Sequence, residues 1–167
     1  MMKTDSFEII KVGIADLNVV KAPNRIRTSG LGSCVGLVLF DKINDVAGLA
    51  HIMLPDSSLA NKGIFNHAKY ADTAIPQLIN RLVAAGAKSR SLQAKMAGGA
   101  QMFHFQSVSD MMRIGPRNVE AIIDVLNLFH ITLISSDVGG NSGRTIEFDP
   151  KTCELTIRTV NQGTKVI

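Results

Sequence analysis

The chain has 167 residues, 46% hydrophobic and 5% aromatic, with a net charge of +4, which suits one compact domain over residues 1–167 with a full core. Its 18 Lys and Arg residues run from Lys3 to Lys165 with no basic stripe interleaved with aromatics, which argues against nucleic-acid binding. The N-terminal residues do not read as a signal peptide, and the apolar runs at 34–40 and 46–54 fall short of the roughly 20 residues a membrane helix needs. A cytoplasmic protein with no membrane insertion and two reduced cysteines is therefore expected.

Taken in chain order, residues 7–20, 26–29, 34–41 and 46–54 are rich in Val, Ile and Leu and read as strands, punctuated at Pro23-Asn24, Gly30 to Gly32 and Lys42 to Asp45. Over 66–87, Ala71, Ala74, Ile75, Leu78, Ile79, Leu82 and Val83 recur at helical spacing. Pro76 sits awkwardly inside that helix, since proline lacks a backbone donor. Residues 91–96 read as a strand closed by Gly98-Gly99. A second helix opens at Gly115-Pro116 with a core stripe of Val119, Ile122, Ile123, Leu126 and Phe129. Strands resume at 131–136, 144–148 and 153–158. Runs of strands separated by single helices predict an α+β layered fold with much antiparallel pairing.

The chemistry concentrates at Cys34. The small residues Gly30, Gly32 and Ser33 precede it, a turn able to present backbone amides of Gly32 and Ser33 to a developing oxyanion. If 34–41 and 46–54 form a hairpin with an even loop, Cys34 lies opposite His51 or Met53, and in either register the thiol and imidazole share a face. That proximity predicts an activated thiol titrating below its ordinary value. Cys153, by contrast, alternates with Leu155 and Ile157 and reads as a core residue.

Other motifs carry less. Val35 stands where a dinucleotide-binding Gly-x-Gly-x-x-Gly would place its third glycine, and Gly139 to Arg144 lacks the lysine of a phosphate loop. His67, His104 and His130 are scattered without ligand spacing, so neither a metal nor a cofactor is expected. Met102, Phe103 and Phe105 come after a Gly-Gly break and are candidates for the rim of a partner groove.

Five spaced motifs, T-S-G-L-G-S-C-V-G (28–36), G-L-A-H-I-M-L-P (48–55), K-M-A-G-G-A-Q-M-F (95–103), I-G-P-R-N (114–118) and D-V-G-G-N-S-G-R (137–144), resemble the signature of the CheD family of chemoreceptor glutamine deamidases. The resemblance covers most of the chain in matching order. It implies a three-layer α/β/β sandwich related to deamidase toxins, forming one deamidase domain. It further implies hydrolysis of glutamine side chains on methyl-accepting chemotaxis receptors, with Cys34 as nucleophile, His51 as base and Thr28 as third member. It also implies a CheC-type phosphatase as partner and recruitment to receptor arrays. A non-catalytic adaptor of CheC and a receptor methylesterase are the alternatives.

Overall fold

In the computed structural model, which describes residues 6–60, 65–102 and 113–167, the first apolar stretch divides. β1 (Ile9–Val12) and β2 (Leu17–Lys21) flank a turn in which Ala15 takes a left-handed φ of 54°, and the two strands enter different sheets. One sheet has the order β1, β3 (Arg25–Leu31), β8 (Arg144–Asp149), β9 (Glu154–Thr159), β10 (Gly163–Val166). The other has the order β2, β5 (Val46–Ile52), β4 (Val35–Asp41), β6 (Gln93–Gly98), β7 (Thr132–Val138). Only β1 with β3 and β6 with β7 pair in parallel among the described strands.

All residues of β4 and β5 are buried, because the second sheet is covered on both faces. Leu37, Leu39, Ala50 and Ile52 pack with Ile75 and Leu78 of α1 (Ala71–Ala84) and Ile122 and Leu126 of α2 (Ile114–Leu128). The alternate residues Val38, Phe40, Ala47 and Leu49 pack with Ile26, Ile146, Phe148 and Ile157 of the first sheet. Period-two alternation thus feeds two cores instead of one core and solvent, which is why these strands read as continuous apolar runs. The layers are helices, sheet, sheet: an α+β three-layer sandwich.

Several expectations shift. The helix expected over 66–87 begins only at Ala71, because Asn66 Oδ1 accepts from the Ala68 N–H and caps a separate 3-10 turn at His67–Lys69. Pro76 lies inside α1, costing the bond its missing N–H would make to the preceding turn. The buried stripe of α2 is Gly115, Asn118, Ile122, Val125 and Leu126, while Ile123 and Phe129 are exposed. The observed stripe is rotated about the helix axis from the expected one, because a glycine and an asparagine occupy core positions. Cys153 precedes β9 in a turn, at φ 59°.

Candidate active site

Thr28 and His51 meet across the two sheets, and Cys34 lies on the segment that crosses between them. β3 carries one extra residue between Thr28 and Leu31 relative to β8, a bulge with Gly30 at φ 73°. Such a bulge bends its strand and redirects the chain beyond it. Here Gly32, Ser33 and Cys34 come next and lead from β3 in one sheet to β4 in the other. Thr28 therefore belongs to the first sheet, His51 to the second, and Cys34 to the crossing between them.

The hairpin expectation holds with a defined register. β4 and β5 are joined by residues 42–45, an even loop, and the ladder pairs Gly36 with His51 and ends at Val35 with Ile52. Extended by one step, the register sets Cys34 against Met53 and diagonal to His51, on the same face. That face looks into the inter-sheet core, against which the half-buried Cys34 packs. Gly36 is required beside it: a Cβ there would lie 2.5 Å from Ile146 Cδ1 and 3.1 Å from Leu31 Cδ1.

His51 is fully buried and Thr28 nearly so. The Thr28 hydroxyl donates to the Val12 carbonyl at 2.8 Å and lies 2.8 Å from His51 Nδ1. A hydroxyl has one hydrogen, and a carbonyl can only accept. The proton therefore goes to Val12, and the oxygen accepts from a protonated Nδ1. This assigns the tautomer and leaves the lone pair on Nε2, which has no hydrogen-bond partner among the described residues.

Burial pushes the Cys34 thiol above its ordinary value, an effect partly offset by the Cys34 backbone N–H, and pushes His51 below its own. This reverses the expected low thiol: desolvation disfavours the thiolate and the imidazolium alike.

The crossing segment is held from both sides. Gly99 N–H donates to Cys34 O and Ala100 N–H to Gly32 O, both at 2.9 Å, while Gly32 N–H donates to Gly30 O at 3.2 Å. Gly98 takes φ 118°, and a Cβ on it would collide with Cys34 O. From the helix layer, the fully buried Asn118 donates through Nδ2 to Ser33 O at 3.0 Å and to Met53 O at 2.9 Å. Gly98 O is met by Arg144 Nη1 at 3.2 Å and by Gly139 N–H at 3.0 Å, and Arg144 Nε is paired with Asp137 at 3.3 Å. Sequence reasoning gave Asn118 and Arg144 no role. The available signal was an asparagine three residues after Gly115 and four before Ile122, on a face otherwise apolar.

Of the expected groove residues, Met102 is 45% exposed and lies over Gly32, with Cγ 3.5 Å from where a glycine Cβ would project. Phe103 and Phe105 lie outside the described residues. Among the described residues no group of three His, Cys, Asp or Glu side chains is arranged to hold a metal ion, and no helix is long and apolar enough to cross a membrane.

The fold is similar to that of a Neisseria meningitidis protein of the DUF152 family, with a TM-score of 0.50 at 9% identity over 81% of this chain and 65% of that one. The family model described as CheD chemotactic sensory transduction matches residues 53–159. The chemoreceptor glutamine deamidase CheD of Halalkalibacterium halodurans is 62% identical over 96% of this chain and 99% of its own length. That of Bacillus subtilis is 58% identical over 99% and 100%. The chain belongs to the CheD family.

Proposed function

We propose that this protein deamidates glutamine side chains of methyl-accepting chemotaxis receptors, the activity its relatives are named for, and that Cys34, His51 and Thr28 carry the reaction. The observation that most supports this reading is the Thr28 hydroxyl, committed to Val12 and accepting from His51 Nδ1. Nε2 is thereby left as a base on the face that Cys34 shares. A third group that orients an imidazole is the logic of nucleophile–base–orienter sites.

On this reading Cys34 Sγ attacks the glutamine amide carbon while its proton passes to His51 Nε2. The tetrahedral oxyanion is met by the amides of Ser33 and Cys34. Gly32 supports the turn, since its own N–H is given to Gly30. The C–N bond then breaks, His51 returns the proton to the leaving nitrogen, and ammonia departs from a thioester. Water, losing a proton to Nε2, attacks the thioester. The C–S bond breaks, glutamate is released and the thiol is restored. No step needs a cofactor. Because burial disfavours both ions, proton transfer accompanies attack and does not precede it.

Residues 1–167 then act as one deamidase domain in the cytoplasm, recruited to receptor arrays. A CheC-type phosphatase is its regulatory partner, competing with receptor at the rim marked by Met102, whose exposed side chain borders the nucleophile segment. The test is incubation with a receptor cytoplasmic fragment and peptide mapping by mass spectrometry. Conversion of particular glutamines to glutamate by the wild-type chain and not by Cys34→Ala is expected. Unchanged glutamines alongside CheC binding would replace the enzyme by an adaptor, and loss of methyl ester in place of amide would replace it by a methylesterase.

A further inference from the structure

The β4–β5 ladder ends at Val35 and Ile52, one step short of the nucleophile. The next pair in register would be Cys34 with Met53, but there the nucleophile segment leaves to cross between sheets. At this point the Asn118 side chain takes over. Its two Nδ2 hydrogens go to Ser33 O and Met53 O, so one amide group ties the residue before the nucleophile to the strand that carries the base.

We propose that Asn118 is a positioning residue for the deamidation, fixing the Cys34 segment against the His51 strand by replacing the missing rung of the ladder. The inference rests on the reading of Cys34 as nucleophile. Asn118 is packed close to the Cys34 segment, bonded through Nδ2 while its Oδ1 has no partner among the described residues. It lies one turn after Gly115, whose α-carbon approaches the Gly99 and Ala100 backbone so closely that a Cβ would collide with the Ala100 carbonyl. Gly99 and Ala100 are in turn the residues that donate to Cys34 O and Gly32 O. The start of α2, the end of β6 and the nucleophile segment thus pack as one unit, and from it Asn118 reaches across to the carbonyl of Met53, the residue after β5. An asparagine that is fully buried costs stability unless bonded. Here both its hydrogens are spent on fixing relative geometry.

The test compares wild type with Asn118→Leu, which keeps the volume and removes both donors, and with Val125→Ala, a core truncation elsewhere on α2 that lowers stability without touching the site. Measurements are kcat and KM on a receptor fragment, and the rate of Cys34 alkylation by iodoacetamide across pH with His51 present or replaced by alanine. Asn118→Leu is expected to lower kcat about 10- to 100-fold with KM changed less than about threefold, and to shrink the difference that His51→Ala makes to alkylation. Val125→Ala should do neither. If Asn118→Leu does not fold, Asn118→Ser, which can hold at most one of the two carbonyls, is expected to act in the same direction. Unchanged kcat in a folded variant overturns the proposal, as does an equal loss in Val125→Ala at matched melting temperature. Failure of the nucleophile reading is separate: it would appear as activity retained in Cys34→Ala.

Discussion

Cys34 and Cys153 pack against the same inter-sheet core, and burial raises the titration of both thiols. What separates them is their company. Cys153 lies in a left-handed turn at φ 59°, its thiol faces the Pro150 carbonyl at 3.7 Å, and its neighbours Leu155 and Ile157 are fully buried. The nearby Lys42 and Lys95 draw its titration down, but Lys95 spends its ammonium on the Cys153 and Ile167 carbonyls. Among the described residues no lysine or arginine draws the Cys34 titration down. Instead Cys34 has glycines, a segment held open by backbone bonds, and an imidazole of assigned tautomer. A depressed thiol therefore does not set Cys34 apart from Cys153; the imidazole on its face does.

That comparison breaks most visibly if the wrong cysteine is essential. Cys34→Ala should lower deamidation by at least about 10⁴-fold with circular dichroism and melting temperature little changed; measurable turnover in that variant would remove the thiol from the chemistry. His51→Gln should cost about 10²- to 10⁴-fold. Because burial lowers His51, the imidazole stays unprotonated to lower pH than usual. The acid limb of kcat/KM should therefore lie below the ordinary imidazole range near 6.5. The same shift means the unfolded chain binds this proton more readily than the folded one. Stability should fall as pH drops from that ordinary value toward the lowered one, and less so in His51→Gln. Urea titrations across that window check the sign.

Thr28→Val keeps the shape and strands the His51 Nδ1–H and the Val12 carbonyl. Each orphaned buried group costs about 1–3 kcal/mol, and kcat should fall about 10- to 100-fold as the tautomer is released; an unchanged rate would deny the hydroxyl its orienting role. The smallest effect falls on the other cysteine. Cys153→Ala should destabilise by about 1 kcal/mol, read from denaturant midpoints, and leave kcat unaltered.

Much of this was legible in the residues. The apolar periodicity located β4, β5 and the bodies of both helices, and an even loop put Cys34 and His51 on one face whichever register applied. Less legible was whatever depended on partners distant in the chain. Residues 7–20 look like one strand because apolar composition does not reveal that a turn at Ala15 sends the two halves to different sheets. The buried stripe of α2 departs from the apolar spacing because Asn118 has the chemistry of a surface residue and its two carbonyl partners lie 85 and 65 positions away. β10 carries exposed residues throughout and has no apolar pattern to announce it.

By itself the sequence determined the chemical inventory: a thiol behind a glycine-rich turn, an imidazole on the following strand, a threonine six residues upstream, and a layered α+β fold to carry them. Periodicity and residue chemistry are local, so they could be read locally. Only the tertiary structure decided which imidazole nitrogen carries the proton, because that depends on Thr28 giving its single hydrogen to Val12 across the sheet. Only the tertiary structure likewise decided that burial pushes the thiol up and not down, because desolvation is set by how completely two sheets close over a side chain.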